Sequence, residues 1–285
     1  MGIDTPKINI GLLLLSMLVL AACGGGGGGG GDSGGGGGGA TNVPRYAFVA
    51  NSNDDSVSSY VVDADTGRLK YIGKAAAGLF PISVTVDPSG KYAYVANNNS
   101  ADVSQYTIGA SGGLAPIAPA TASAQAGPVS LAMTRGSVPV QAVPKYAYVA
   151  NFDGANVSQY TIGASGGLAA MASATVAAGL LPHSVSVDPS GKYAYVANAG
   201  GTSVSQYTID ASGGLTPMGT ATVAAGSQPQ SVSVDPSGKY AYVANYGGDV
   251  SQYTIGASGG LAAMAPATVA AGTGPISVTT TGTWQ

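Results

Sequence analysis

The chain has 285 residues, a net charge of −3 and only 8% charged residues. Binding to a phosphate backbone needs clustered Lys and Arg, so this composition excludes nucleic acid as a partner. The acidic residues are all Asp, and there is one Cys and one His. That inventory excludes any mechanism built on Glu, an intrachain disulfide and a Cys/His zinc cluster of the usual kind, so no metal or other cofactor is expected.

At the amino terminus Lys7 precedes an apolar run from Ile10 to Leu20. The run is too short to span a bilayer, which takes about 20 residues, and it reads as the apolar part of a signal peptide. It ends in Leu20-Ala21-Ala22-Cys23, which resembles the lipobox of bacterial lipoproteins. The resemblance implies cleavage before Cys23, lipidation of its sulfur and acylation of the new amino terminus. Residues 1–22 would then be the signal peptide, and the membrane would be a partner through the lipid. By the same resemblance, Gly24 rather than Asp after the cysteine points to the outer membrane of the cell envelope. Residues 24–39 are Gly except for Asp32 and Ser33. With no side chains to bury, the segment 23–40 is expected to be a flexible tether, spanning about 20–24 Å on average. A phosphate-binding loop is excluded, since no strand precedes it and no Lys-Ser/Thr follows.

From residue 41 onward the chain repeats. Tyr-Ala-Phe/Tyr-Val-Ala-Asn begins at Tyr46, Tyr92, Tyr146, Tyr193 and Tyr240, at spacings of 46, 54, 47 and 47 residues. Periods of this size belong to propellers, solenoids or arrays. One unit holds four runs with two-residue alternation, here called A to D. In the fourth unit A is Ser184–Asp188, B is Tyr193–Asn198, C is Val204–Ile209 and D is Leu215–Ala224. Asp188-Pro189-Ser190-Gly191 and Ala211-Ser212-Gly213-Gly214 supply turn residues between them. Four short antiparallel strands per unit describe a propeller blade.

The first unit starts at its strand B, and a surplus strand A, Ile276–Thr281, ends the chain. The expectation is an all-β propeller over 41–285, with five four-stranded blades and velcro closure of the first blade by that C-terminal strand. The third unit carries an insert, Thr134–Lys145, read as a loop.

Pro-Ser-Gly-Lys-Tyr-Ala-Tyr-Val-Ala-Asn followed by Val-Ser-Gln-Tyr-Thr-Ile resembles the YVTN-type repeat of bacterial β-propellers, which are grouped with the 6-phosphogluconolactonase-like lactonases. The resemblance implies lactone hydrolysis at the top of the central channel. Family members often carry Arg-His at the start of a strand A and Asn-Glu after a strand B. Here His183 matches the first pattern behind Pro182, and Ala199 follows Asn198.

Residues that recur in every unit build the blade, whereas those that differ at the D–A and B–C loops are candidates for a site at the channel mouth. These are Phe80, Phe152, Asp153, His183, Gln230 and Tyr246, with Cys23 as the lipidation site. His183 is the single side chain that ordinarily titrates near neutral pH, and is the candidate general base. The expected function is an envelope-anchored binding or interaction module for an unknown protein partner. A lactonase-like hydrolase and a binder of envelope glycans are the alternatives.

Overall fold

The computed structural model describes residues 18–21, 46–63, 65–134 and 145–280. Cys23, the glycine tether and most of the insert, 135–144, lie outside them. Among the described residues twenty strands form five four-stranded antiparallel sheets. Blade 1 comprises β1 (Leu18–Ala21), β2 (Tyr46–Asn51), β3 (Ser56–Val62) and β4 (Leu69–Ala76). Blade 2 comprises β5 (Pro81–Val86), β6 (Tyr92–Asn97), β7 (Asp102–Ile108) and β8 (Leu114–Ser123). Blade 3 comprises β9 (Pro128–Met133), β10 (Tyr146–Asn151), β11 (Asn156–Ile162) and β12 (Leu168–Ala177). Blade 4 comprises β13 (Pro182–Val187), β14 (Tyr193–Asn198), β15 (Ser203–Ile209) and β16 (Leu215–Ala224), and blade 5 comprises β17 (Pro229–Val234), β18 (Tyr240–Asn245), β19 (Asp249–Ile255) and β20 (Leu261–Ala270). The B and C strands fall where the alternating pattern puts them. The A strands begin one or two residues earlier, at a proline whose missing N–H costs an inner strand nothing at its first position.

The A–B turn shows why Asp-Pro-Ser-Gly recurs. Gly90 takes φ +68, a left-handed conformation open to glycine, and its N–H donates to the Asp87 carbonyl at 2.9 Å. Asp87 Oδ1 accepts the N–H groups of Lys91 and Tyr92, both at 2.8 Å, and Asp188 repeats this with Lys192 and Tyr193. A carboxylate thus satisfies two amide donors as the chain reverses.

The blades pack face to face around a common axis, and the apolar cores lie between them. One cluster joins Val129, Tyr148 and Val157 of blade 3 to Val185, Val196 and Tyr207 of blade 4. Equivalent clusters join blades 1 and 2, 2 and 3, and 4 and 5. Burial of the Tyr and Val side chains that recur in each repeat is therefore what fastens one blade to the next. It also keeps their phenols protonated: burial pushes Tyr160 and Tyr207 up to about 12.

One element differs from expectation. The innermost place of blade 1 is filled by Leu18–Ala21, paired antiparallel with β2 from Leu18↔Val49 to Ala21↔Tyr46, and not by the C-terminal segment. Residues 276–280 form no strand; they lie along β17. There the Val278 N–H donates to Ser231 Oγ at 3.4 Å, and Thr280 Oγ1 donates to the Val234 carbonyl at 3.2 Å. The Val185 N–H meets Ser130 Oγ, and the Val232 N–H meets Ser184 Oγ, in the same way. The segment therefore sits beside blade 5 as one blade's inner strand sits beside the next. The physical reason is that an open strand edge asks only for a short, extended, apolar-compatible run, and Leu-Val-Leu-Ala meets that demand as well as Ile276–Thr280 does.

Candidate active site

The D–A and B–C loops gather at one end of the blades and are laced together by backbone bonds. The Asn98 N–H donates to the Phe80 carbonyl at 3.0 Å, Phe152 to Gly127 at 2.7 Å, Ala199 to Leu181 at 2.9 Å and Tyr246 to Gln228 at 3.0 Å. Ahead of the proline that opens each inner strand, Phe80, Leu181 and Gln228 take φ values of +54, +49 and +54. Gly127 and Gly274 fill the same place in other repeats, at +69 and +64. Non-glycine residues at positive φ are strained, by about 1–2 kcal/mol, and such strain gathers at functional ends of folds. This feature is absent from the residue pattern, since three of the five residues are not glycine.

Below the loops, the asparagine ending strand B is buried in blades 2 to 5 and half-buried, as Asn51, in blade 1. Asn97 donates through Nδ2 to Asp102 Oδ1 at 2.7 Å and Ser104 Oγ at 2.8 Å, and Asn245 does the same with Asp249 and Ser251. The Asp residues at the start of strand C are thereby tied into the blade. Asp54 is bound instead to Lys74 at 2.7 Å, and the hydrogen bond from that ammonium holds its carboxyl below the ordinary range. Among the described residues no group of three His, Cys or Asp is placed to hold a metal ion.

His183 is half-buried on β13, directly after Pro182. Its Nδ1 lies 2.9 Å from the Gln230 backbone carbonyl of the neighbouring blade. The ring of Phe152 meets it edge to face, with centroids 6.0 Å apart and planes at 79°. A carbonyl oxygen only accepts, so Nδ1 carries the proton and Nε2 of the neutral ring is left with its lone pair. Desolvation lowers the imidazole's pKa from its ordinary 6.5, against a smaller opposing effect of the Gln230 carbonyl. The ring is therefore neutral at pH 7, a state suited to accepting a proton.

The structure thus brings together three of the residues singled out from the sequence: Phe152, His183 and Gln230, the last through its carbonyl and not its amide. The Gln230 amide points away, donating to the Gln228 carbonyl at 3.3 Å. Asp153 is exposed on the adjoining B–C loop and packs over Gly127, whose Cβ, if present, would lie 2.7 Å from its carboxylate. Among the described residues no Asp hydrogen-bonds to His183. Phe80 and Tyr246 sit on other loops of the same rim: the Phe80 N–H donates to Asp55 Oδ1 at 2.8 Å, and Tyr246 is 46% exposed beside Gly274. Leu79 and Leu180 are exposed on the same loops at 55% and 68%, which gives the rim an apolar character. A shallow depression of about 500 Å³ lies at the opposite end of blade 4, lined by Lys192, Tyr193, Thr208 and Asp210, away from His183.

Comparison with known proteins places this geometry in a family. The family described as lactonase, 7-bladed beta-propeller, matches residues 39–131 and 147–281. No curated protein sequence matches the chain. Among solved structures, a periplasmic gluconolactonase of Pseudomonas aeruginosa superposes with a TM-score of 0.67 at 20% identity, over 81% of this chain and 69% of that one. A protein of Lactobacillus plantarum superposes at 0.66 and 17% identity, over 81% and 70%. A functionally unknown protein of Desulfotomaculum acetoxidans does so at 0.65 and 16%, over 76% and 65%. The chain spans about two thirds of the length of these structures, and at such identities the likeness is one of fold. The match over both halves of the repeat region shows that the chain belongs to the lactonase β-propeller family, with five blades among its described residues.

Proposed function

We propose that the protein is an envelope-anchored lactonase-type propeller that opens a lactone ring at the rim, with His183 as general base. The observation that carries this reading is the bond from His183 Nδ1 to the Gln230 carbonyl, which leaves Nε2 unprotonated and with no hydrogen-bond partner among the described residues. Water held between Nε2 and the lactone carbonyl would attack that carbon while its proton passes to Nε2. Collapse of the tetrahedral adduct breaks the ring C–O bond, and Nε2–H returns the proton to the leaving alkoxide. The product is the hydroxy acid, with no other reactant consumed. The edge of Phe152 would cover one face of the ring. A gluconolactonase function of the Pseudomonas protein named above, and its periplasmic location, agree with an exported enzyme acting on sugar lactones.

The test is an assay of the full chain with gluconolactone, beside His183→Ala and Phe152→Ala. Turnover in the wild type should fall about 10²–10⁴-fold in His183→Ala, the usual cost of losing a general base. Because the base must be neutral, activity should hold above the ordinary 6.5 and decline only below it, since burial lowers the pKa. Wild-type activity equal to that of His183→Ala would sink the reading.

A binding role without turnover is the second reading. It is favoured by the absence, among the described residues, of a carboxylate bonded to His183 to steady the imidazolium. In that case a glycan or protein of the envelope would occupy the apolar rim, and binding would survive His183→Ala.

A further inference from the structure

Opening a lactone turns an uncharged ring into an acid, so the charge around His183 bears on what enters and what leaves. Among the described residues, the cations gather at the far end of the blades. Arg68, Lys70, Lys91, Lys145, Lys192 and Lys239 stand at or just after the C–D and A–B turns, opposite the His183 end. At the His183 end, the B–C loops and the starts of the C strands carry Asp54, Asp55, Asp102, Asp153 and Asp249. The one cation there among the described residues is Lys74, and it is already bound to Asp54 at 2.7 Å. The other carboxylates of this end have no cation among the described residues to balance them.

Asp153 directly follows Phe152, whose ring lies edge to face against His183 at 6.0 Å. It is exposed, and its carboxylate packs over Gly127, just ahead of β9. The inner strand beside β13 is β9, since the Val185 N–H meets Ser130 Oγ at 3.4 Å. The imidazole therefore has the Gln230 carbonyl on its blade 5 side, and Phe152 with Asp153 on its blade 3 side. Consecutive Cα atoms are about 3.8 Å apart, which puts the Asp153 charge on the order of 10 Å from the ring. Screening acts over about 8 Å at physiological salt and about 30 Å at 0.01 M, so this charge is felt at the base. The polar groups nearest the imidazole are acceptors as well. The Gln230 amide, which could donate, is turned to the Gln228 carbonyl at 3.3 Å. Below the same B–C loop, the buried Oδ1 of Asn151 accepts no hydrogen bond among the described residues.

We propose that the rim admits uncharged lactones, turns away phosphorylated ones and expels the carboxylate product, with Asp153 as the specificity-determining residue. This selection rests on the reading of His183 as the general base. A phosphate group brings a charge of about −1.5 to −2 and only acceptor oxygens, and at this rim it meets neither a free cation nor a spare donor. An uncharged lactone meets no such repulsion. Once water has added and the ring C–O bond has broken, the new carboxyl group gives its proton to solvent, since such groups ionise at about 3–4. The product anion then stands between a neutral imidazole and Asp153 with no cation to hold it, and repulsion between like charges favours its departure.

The experiment compares gluconolactone with its 6-phosphate on the full chain in a mild detergent at pH 7, following acid release above the uncatalysed rate. The wild-type kcat/KM should favour the uncharged lactone by about fivefold or more at an ionic strength of about 0.01 M, and the preference should shrink at about 1 M. Asp153→Lys should abolish or reverse the preference, and Asp153→Asn, which keeps the packing over Gly127, should narrow it. Gluconate should inhibit Asp153→Lys about tenfold more strongly than it inhibits the wild type. Circular dichroism checks that both variants fold. Equal kcat/KM for the two lactones in the wild type, or a ratio that neither variant moves, overturns the selection and leaves His183 as the base. If neither lactone is turned over, calorimetry with the two corresponding lactams, whose ring N–H replaces the ring oxygen, separates the two readings. A preference for the uncharged lactam that Asp153→Lys removes keeps the selection and sinks only the catalysis. Binding of both lactams alike, or of neither, overturns the selection as well.

Discussion

The residue that recurs with the most work to do is the glutamine of Val-Ser-Gln-Tyr-Thr-Ile. Strand D bulges opposite it, and the register of β11 with β12 shifts between Ser158 and Tyr160. Gln159 closes that gap by donating Nε2 to the Ser173 carbonyl at 2.8 Å, while its Oε1 accepts the Leu215 N–H of blade 4 at 2.6 Å. One buried amide thus satisfies an irregular strand and a neighbouring blade together. Gln159→Ala strands both backbone groups, each costing about 1–3 kcal/mol when buried. Gln252→Ala, at an exposed face and with one bond, should cost under about 1 kcal/mol. Urea unfolding of the two variants checks the contrast, and equal losses would contradict it. The sequence shows that this glutamine repeats, but gives no sign that it spans two blades.

At the scale of elements, the turns and strands were legible because each has a local cause. Asp-Pro-Ser-Gly fixes the A–B reversal through the Asp carboxylate and a left-handed glycine, and strand B begins and ends where alternation says. The inner strand of blade 1 was not legible. Two segments far apart in the chain satisfy the same pattern, and only the packing decides which of them lies beside β2. The segment 276–280 nonetheless keeps its alternation against β17, with Ile276, Val278 and Thr280 half-buried and Ser277 and Thr279 exposed. Deleting Pro275–Gln285 is therefore expected to lower stability by about 2 kcal/mol, somewhat less than full burial of an Ile and a Val would contribute. A truncated chain that melts at the wild-type temperature would show that the segment carries no load.

On the scale of the whole molecule, the apolar clusters lie between blades and not within them, so stability is passed from neighbour to neighbour, as in other repeat proteins. No helix among the described residues is long and apolar enough to cross a membrane. We propose that the chain is attached to the envelope through Cys23; cleavage before it would remove Leu18–Ala21 and leave the place beside β2 open in the mature chain. Two or more acyl chains give stable anchoring, at roughly 0.8 kcal/mol per buried methylene. Changing Cys23 to Ala should move the protein from the detergent-extracted membrane fraction to the soluble one. Failure of the wild type to incorporate labelled palmitate would refute the anchor.

The sequence by itself determined the repeat, its four strands, the number of blades and the residues that differ at the rim, because these follow from periodicity and turn chemistry within some fifty residues of chain. Tertiary structure alone decided the rest. It set the tautomer of His183 through a carbonyl contributed by the next blade, and it placed Phe152 but no Asp against the imidazole. It also gave the innermost place of blade 1 to Leu18–Ala21, and laid residues 276–280 along β17. Each of these depends on groups separated by tens to hundreds of residues, whose meeting is governed by how one blade seats on another, and a local pattern carries no record of that distance.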